Sequence, residues 1–137
     1  MRKTVFLLFT LFLIAGTGCK QSDKQIFNGK DLSNWNFVIE NDGVPADQIY
    51  AVQNGQIYIQ GEPLGYMYTQ KKYSDYTLEL EYRWDETPTN SGIFVLIEEP
   101  KNPFPKGIEC QLMHGKAGDF VLLGGSDMSE YQLPEGV

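Results

Sequence analysis

Cysteine, histidine and basic residues are all scarce in this chain, and each shortage excludes a class of protein. Cys19 and Cys110 are the two cysteines, and His114 is the single histidine. Two cysteines cannot build a disulfide framework or a cysteine-based zinc site. The chain carries 11 Lys and Arg against 18 Asp and Glu, a formal net charge of −7. An acidic chain without a basic cluster is not expected to bind nucleic acid.

Helical periodicity is missing as well, and what replaces it is a series of short β-type runs. Asn54-Gly55 lies between two of these runs and predicts a hairpin, because both residue types accept positive φ. Strands are predicted at residues 48–52, 56–60, 66–69, 76–84, 93–97, 108–113 and 120–123. Short strands separated by turns indicate an all-β sandwich or jelly roll.

The alternation of residue type is cleanest in residues 76–84. Aromatic and aliphatic side chains occupy every second position there, and Thr77, Glu79, Glu81 and Arg83 fill the others. A strand with one apolar and one polar face is expected. Residues 93–97 are instead a continuous apolar run, which predicts a strand buried on both faces.

The N-terminus has the pattern of a targeting segment. Arg2 and Lys3 precede an apolar stretch at residues 5–15, which is too short to span a bilayer comfortably. Gly16 and two further small residues then lead to Cys19, and this resembles a bacterial lipoprotein signal. We expect a signal peptide at residues 1–18, a lipid anchor on Cys19, a polar tether at 19–25 and a domain at 26–137. The location would be the cell envelope, periplasmic or on the outer membrane. An ordinary secretory signal is the alternative.

Polar side chains lie within one β-type run and just before the neighbouring one, and they indicate a site. Glu109 and Gln111 alternate with buried-type residues, among them Cys110, and His114 follows at the strand end. Asn90 stands just before the neighbouring run. Polar residues at alternating positions on adjacent strands line one face of a sheet, which suits a shallow site for a sugar.

Five blocks of this chain resemble the 3-keto-disaccharide hydrolase domain family of bacteria, formerly a domain of unknown function. The blocks lie at residues 26–35, 52–57, 73–83, 90–94 and 109–112. The resemblance implies a concanavalin-like jelly-roll β-sandwich and cleavage of glycosides that are already oxidised at C3. Leu96 departs from the family, which often has Arg there, and His114 stands where Asp is common. Family members usually continue with further strands, so a C-terminally truncated sandwich is expected.

A ketone at C3 acidifies the C2 proton, so a base could remove that proton and the group at C1 could then leave. Glu109 or His114 could be the base, and Arg83 or a divalent cation could stabilise the oxyanion at C3. Glu109 and His114 are the candidate ligands of such a cation. Gln111, Asn90 and Glu81 are the candidate substrate-binding residues. The alternative for Glu81 and Arg83 is a solvated strand face with cross-strand pairing.

Three functions remain open on this basis. The leading one is an envelope lipoprotein that cleaves 3-keto-glycosides, either by hydrolysis or by elimination and hydration. The second is a non-catalytic carbohydrate-binding module on the same sandwich, and the third is an inactive fragment of such an enzyme. Ordinary glucanase activity is disfavoured because the strands lack a Glu-x-Asp-x-x-Glu arrangement.

Overall fold

Short antiparallel β-strands dominate residues 24–130, the part of the chain that the computed structural model describes. The strands are β1 Trp35–Ile39, β2 Tyr50–Gln53, β3 Gln56–Ile59, β4 Gly65–Thr69, β5 Gly92–Ile97, β6 Gly107–Gln111 and β7 Phe120–Leu123, and a single 3-10 turn, Ala46–Gln48, precedes β2. They form two two-stranded sheets, β1–β4 and β2–β3, and one three-stranded sheet in the order β5-β6-β7. The predicted all-β class is confirmed, whereas the jelly-roll strand order stays a prediction.

The predicted lipoprotein signal at residues 1–18 and its Cys19 lie outside the described residues. Among residues 24–130, no helix is long and apolar enough to cross a membrane.

The hairpin between β2 and β3 follows directly from the turn residues in the sequence. Asn54 has φ 51° and Gly55 has φ 74°, the positive values that a tight two-residue hairpin turn requires. Gln53 and Gln56 pair at the base of the turn, and the ladder continues to Tyr50 opposite Ile59. The predicted hairpin is therefore confirmed.

Strand β1 was not predicted, and its entry is held by a turn rich in polar side chains. The Asp31 Oδ1 accepts hydrogen bonds from the backbone N–H of Ser33 at 3.0 Å and from its hydroxyl at 2.5 Å. These bonds, and a further one from the Asn28 amide, lower the pKa of Asp31. The Asn28 Oδ1 in turn accepts from the N–H of Lys30 and of Asp31. These local hydrogen bonds thus fix the turn that leads into β1, and β1 pairs with β4.

Aromatic rings connect the three sheets around a small core. Ile49 and Tyr50 are almost fully buried, and Tyr66 on β4 is 8% exposed. The ring of Phe37 on β1 lies 5.2 Å from that of Tyr50, and the ring of Tyr66 lies 5.2 Å from that of Phe94 on β5 in an edge-on arrangement. Such aromatic pairs contribute about 0.5–1.5 kcal/mol each beyond the area they bury.

The strand predicted at residues 76–84 is wrong. Between the end of β4 and the start of β5 the described chain contains no strand. Leu80 and Tyr82 are each 48% exposed. The Tyr76 hydroxyl donates a hydrogen bond to the backbone carbonyl of Val95. Alternation decides which side chains share a face, but it cannot supply a neighbouring backbone to pair with.

Strand β5 is an edge strand with a bulge, so its predicted burial on both faces is also wrong. The register of β5 against β6 shifts between Phe94 and Leu96, which leaves Val95 as the extra residue. Leu96, opposite Ile108, is 52% exposed. The bulge takes Val95 out of the regular ladder, and its carbonyl accepts the Tyr76 hydroxyl instead.

Candidate functional site

The centre of the candidate site is Glu109 on β6, the middle strand of its sheet. Glu109 pairs with Phe94 on β5 and with Val121 on β7, and Gln111 pairs with Gly92. Directly opposed residues of an antiparallel pair share one face. Glu109, Gln111 and Phe94 therefore lie on one face of the sheet, as the alternation predicts for the first two.

The Glu109 side chain is half-buried and leans across the strand pair onto Gly92. Burial raises the pKa of its carboxyl above the ordinary value, because desolvation disfavours the charged form. Neither ion pair among the described residues involves it: these pairs join Lys101 to Glu99 and Lys106 to Glu98. A desolvated carboxylate without a cationic partner is a stronger base than a solvated one.

Gln111 has only part of its side chain available for a ligand. Its Oε1 accepts hydrogen bonds from the backbone N–H groups of Leu112 and Met113, both at 2.9 Å. An amide oxygen has two lone pairs, so this oxygen is fully used in shaping the turn after β6. The Nε2 hydrogens remain as donors, which narrows the predicted role of Gln111 to donating to a hydroxyl or carbonyl oxygen.

Asn90 and His114 lie at the same end of the β5–β6 pair. The His114 backbone N–H donates to the Thr89 carbonyl at 3.2 Å, and the Leu112 N–H donates to the Ser91 carbonyl at 2.8 Å. Asn90 lies between these two bonds, and both Asn90 and His114 are exposed. The structure thus brings Asn90 and His114 to the end of the sheet at which Gln111 and Gly92 also lie.

Arg83 and Glu81 are not brought to Glu109. Residues 76–84 lie along the opposite face of the sheet, where Leu78 and Tyr82 line a cavity of about 370 Å³ together with Cys110. Cys110 neighbours Glu109 in β6 and so faces the other way. Arg83 instead donates from Nη2 to the Gln56 Oε1 at 3.3 Å. The strand that would have aligned Arg83 and Glu81 with Glu109 is not formed, and the roles expected of these two residues stay predictions.

Few protein ligands for a metal ion lie together within residues 24–130. Residues 24–130 contain no group of three or more His, Cys, Asp and Glu side chains that could hold a metal ion. Glu109 and His114 together supply at most two protein ligands, whereas catalytic zinc sites typically use three.

Sequence reasoning missed Tyr66. Its ring packs on Phe94, which pairs with Glu109, so Tyr66 covers the Glu109 face of the sheet. Its hydroxyl is buried and has no hydrogen-bond partner among the described residues. The sequence carries no signal for this contact, because it joins strands of two different sheets.

A family model described as the 3-keto-alpha-glucoside-1,2-lyase-like domain matches residues 22–132. No curated protein and no solved structure matches the chain. The matched range contains all seven described strands and each candidate residue of the Glu109 face.

Proposed function

The chain belongs to the 3-keto-alpha-glucoside-1,2-lyase-like domain family, and from that premise we propose that it cleaves the glycosidic bond of sugars that carry a ketone at C3. The observation that supports this is the half-buried carboxylate of Glu109, which lies on the face that it shares with Gln111 and forms no ion pair among the described residues. Elimination needs one well-placed base, and it does not need the two carboxylates at fixed separation that direct glycoside hydrolysis uses.

In the proposed reaction the Glu109 carboxylate takes the C2 proton, and the electron pair of the C–H bond forms an enediolate across C2 and C3. The C1–O bond then breaks as a C1–C2 double bond forms, and the leaving oxygen takes up a proton. Water adds at C1 and a proton returns to C2, which completes a net hydrolysis. The Nε2 donors of Gln111 would steady the oxygen at C3, and Asn90 and His114 would bind hydroxyls at the rim.

The test uses the full 137-residue chain, purified in detergent, with 3-keto-trehalose and 3-keto-glucosides as substrates. Reactions in D₂O separate the routes, because proton abstraction places deuterium at C2 whereas direct hydrolysis leaves the C2 hydrogen in place. Assays with chelator and with added Mn²⁺ or Zn²⁺ accompany each run. No turnover under any of these conditions would overturn the proposal.

Glu109→Gln is expected to lower kcat by about 10²- to 10⁴-fold, the range typical of losing a general base. The matched control is Glu79→Gln, since Glu79 lines the cavity on the opposite face of the sheet. It should retain full activity. If the wild type turned over no 3-keto-glycoside, and Glu109→Gln still bound unoxidised oligosaccharide tightly, the domain would be a carbohydrate-binding module instead.

We further propose that the protein is tethered to the envelope through a lipid on Cys19. The support is the sequence pattern alone, a basic start, an apolar stretch and small residues before Cys19. Cys19→Ser should prevent incorporation of labelled fatty acid and move the protein out of the membrane fraction. Labelling of the Cys19→Ser variant at the wild-type level would contradict the anchor.

A further inference from the structure

We propose that Gly92 is a positioning residue for Glu109, because the missing Cβ at Gly92 makes the space in which the Glu109 carboxylate rests. The inference rests on the proposed function for its catalytic meaning. Its geometric content can be tested without any activity.

The space above Gly92 is filled by one side chain. A Cβ built on Gly92 would lie 1.6 Å from the Glu109 Oε1, 2.4 Å from its Cδ and 2.6 Å from its Cγ. Separations under about 3 Å do not occur for real Cβ atoms, so no residue other than glycine leaves the Glu109 side chain where it is. The backbone of Gly92 does not require glycine by itself, because it is not among the described residues with positive φ.

Two other strand glycines show how Gly92 differs. A Cβ at Gly65 would lie 2.3 Å from the Val38 carbonyl oxygen, and one at Gly107 would lie 2.2 Å from that of Leu96. Those glycines allow backbones to approach, so they serve the fold. At Gly92 all three nearest atoms belong to the carboxyl end of a side chain, so that glycine serves the placement of Glu109.

The neighbouring side chains of the sheet explain why the Glu109 side chain lies over Gly92. Phe94 stands directly across from Glu109, and its ring is held by the edge of Tyr66. Gly92 is the next residue of β5 on the same face and has no side chain. The carboxylate therefore lies diagonally over Gly92, next to Gln111, and is turned towards the end of the sheet with Asn90 and His114. Burial also raises the pKa of this carboxyl, because desolvation disfavours its charged form.

Gly92→Ala tests the idea directly. The clash involves the far end of a flexible side chain, so the carboxylate should move while the strands stay paired. We expect turnover of 3-keto-glucosides to fall about 10- to 100-fold, since misplacement by about 1 Å can cost about 10²-fold. In the Glu109→Gln background the same change should have little further effect on kcat. Gly43→Ala is the control, because its Cβ would meet a single side-chain atom, Asn41 Oδ1, at 3.3 Å.

A second readout does not depend on activity. The Glu109 carboxyl carbon, assigned by its loss in Glu109→Gln, can be titrated by NMR in the wild type and in Gly92→Ala. Its pKa should fall towards the ordinary value in Gly92→Ala, because the displaced carboxylate enters solvent. An unchanged titration would overturn the inference. If the wild type turns over no 3-keto-glucoside, the proposed function fails while this titration still decides the role of Gly92.

Stability measurements in two backgrounds test the inference even if Gly92→Ala does not fold in the wild-type chain. Glu109→Ala removes all three clashing atoms, so Gly92→Ala should destabilise the wild type but not the Glu109→Ala variant. A Gly92→Ala change that prevents folding in both backgrounds would show that the glycine serves the backbone, and the inference would be wrong.

Discussion

Two stretches of this chain alternate in residue type, and only one of them is a strand. In β6 apolar residues alternate with Glu109 and Gln111, and β6 pairs on both sides with β5 and β7. Residues 76–84 alternate more regularly and over a longer run, yet they pair with no strand within residues 24–130. They lie against the Cys110 face of the same sheet, with Leu80 and Tyr82 half-exposed. The more regular sequence pattern belongs to the segment that is not a strand.

The difference shows what alternation measures. A period of two places like side chains on one face, and both stretches do present an apolar face to the sheet or its cavity. Hydrogen-bond pairing needs a second backbone at about 4.8 Å, and this depends on residues far away in the sequence. For the candidate site this bears on Arg83 and Glu81, because no strand pairing aligns their side chains with Glu109.

The largest effect on the free energy of unfolding should come from a proline substitution in β6. Cys110→Pro removes an N–H from β6, and every N–H of a central strand bonds to one neighbour or the other. We expect the free energy of unfolding to fall by at least about 1–3 kcal/mol, because the ring removes a ladder hydrogen bond and leaves the partner carbonyl unsatisfied. Glu81→Pro, in the unpaired segment, should cost far less. Chemical denaturation measures both, and equal losses would mean that residues 76–84 are paired in solution.

Tyr66→Phe should stabilise the chain. The Tyr66 hydroxyl is buried without a hydrogen-bond partner among the described residues, and such a group costs about 1–3 kcal/mol. Phenylalanine keeps the ring contact with Phe94 and removes that cost, so the free energy of unfolding should rise by about 1 kcal/mol. A lower unfolding midpoint in urea would indicate that a water or a ligand normally bonds this hydroxyl.

Tyr76→Phe should lower the free energy of unfolding, in contrast to Tyr66→Phe. The Tyr76 hydroxyl donates to the Val95 carbonyl and ties the 76–84 segment to the bulge of β5. Its loss should cost about 0.5–1.5 kcal/mol, the net contribution of an ordinary hydrogen bond. Hydrogen exchange should show faster exchange in residues 76–84 and no change in β6. Tyr73→Phe, another half-exposed tyrosine, serves as the control.

The smallest effect is a pH dependence from Glu109. Burial raises the pKa of its carboxyl in the folded chain above that in the unfolded chain. The folded chain then binds more protons in the window between the two values, so this contribution to stability is present at low pH and is lost as the pH rises through the folded pKa. Relative to Glu109→Gln, the wild type should therefore be less stable at about pH 7 than at about pH 4. A wild type that becomes more stable relative to Glu109→Gln as the pH rises would contradict the burial of Glu109.

Much of the site could be predicted from neighbouring residues. The alternation around Cys110 places Glu109 and Gln111 on one face, and the β5–β6 pairing then brings Asn90 to the same end of the sheet. Arg83 could not be placed in this way, because its segment forms no strand and lines the opposite face of the sheet. Tyr66 could not have been found, because only its contact with Phe94 reveals it.

The sequence by itself determined the β class, the Asn54-Gly55 turn and the side-chain pattern of β6, because each of these depends on residues within a few positions of one another. The tertiary structure decided the rest: that β1 pairs with β4, that residues 76–84 remain unpaired, and that Glu109 rests on Gly92. Those outcomes depend on which backbones and side chains meet across long loops, and short-range periodicity carries no information about that.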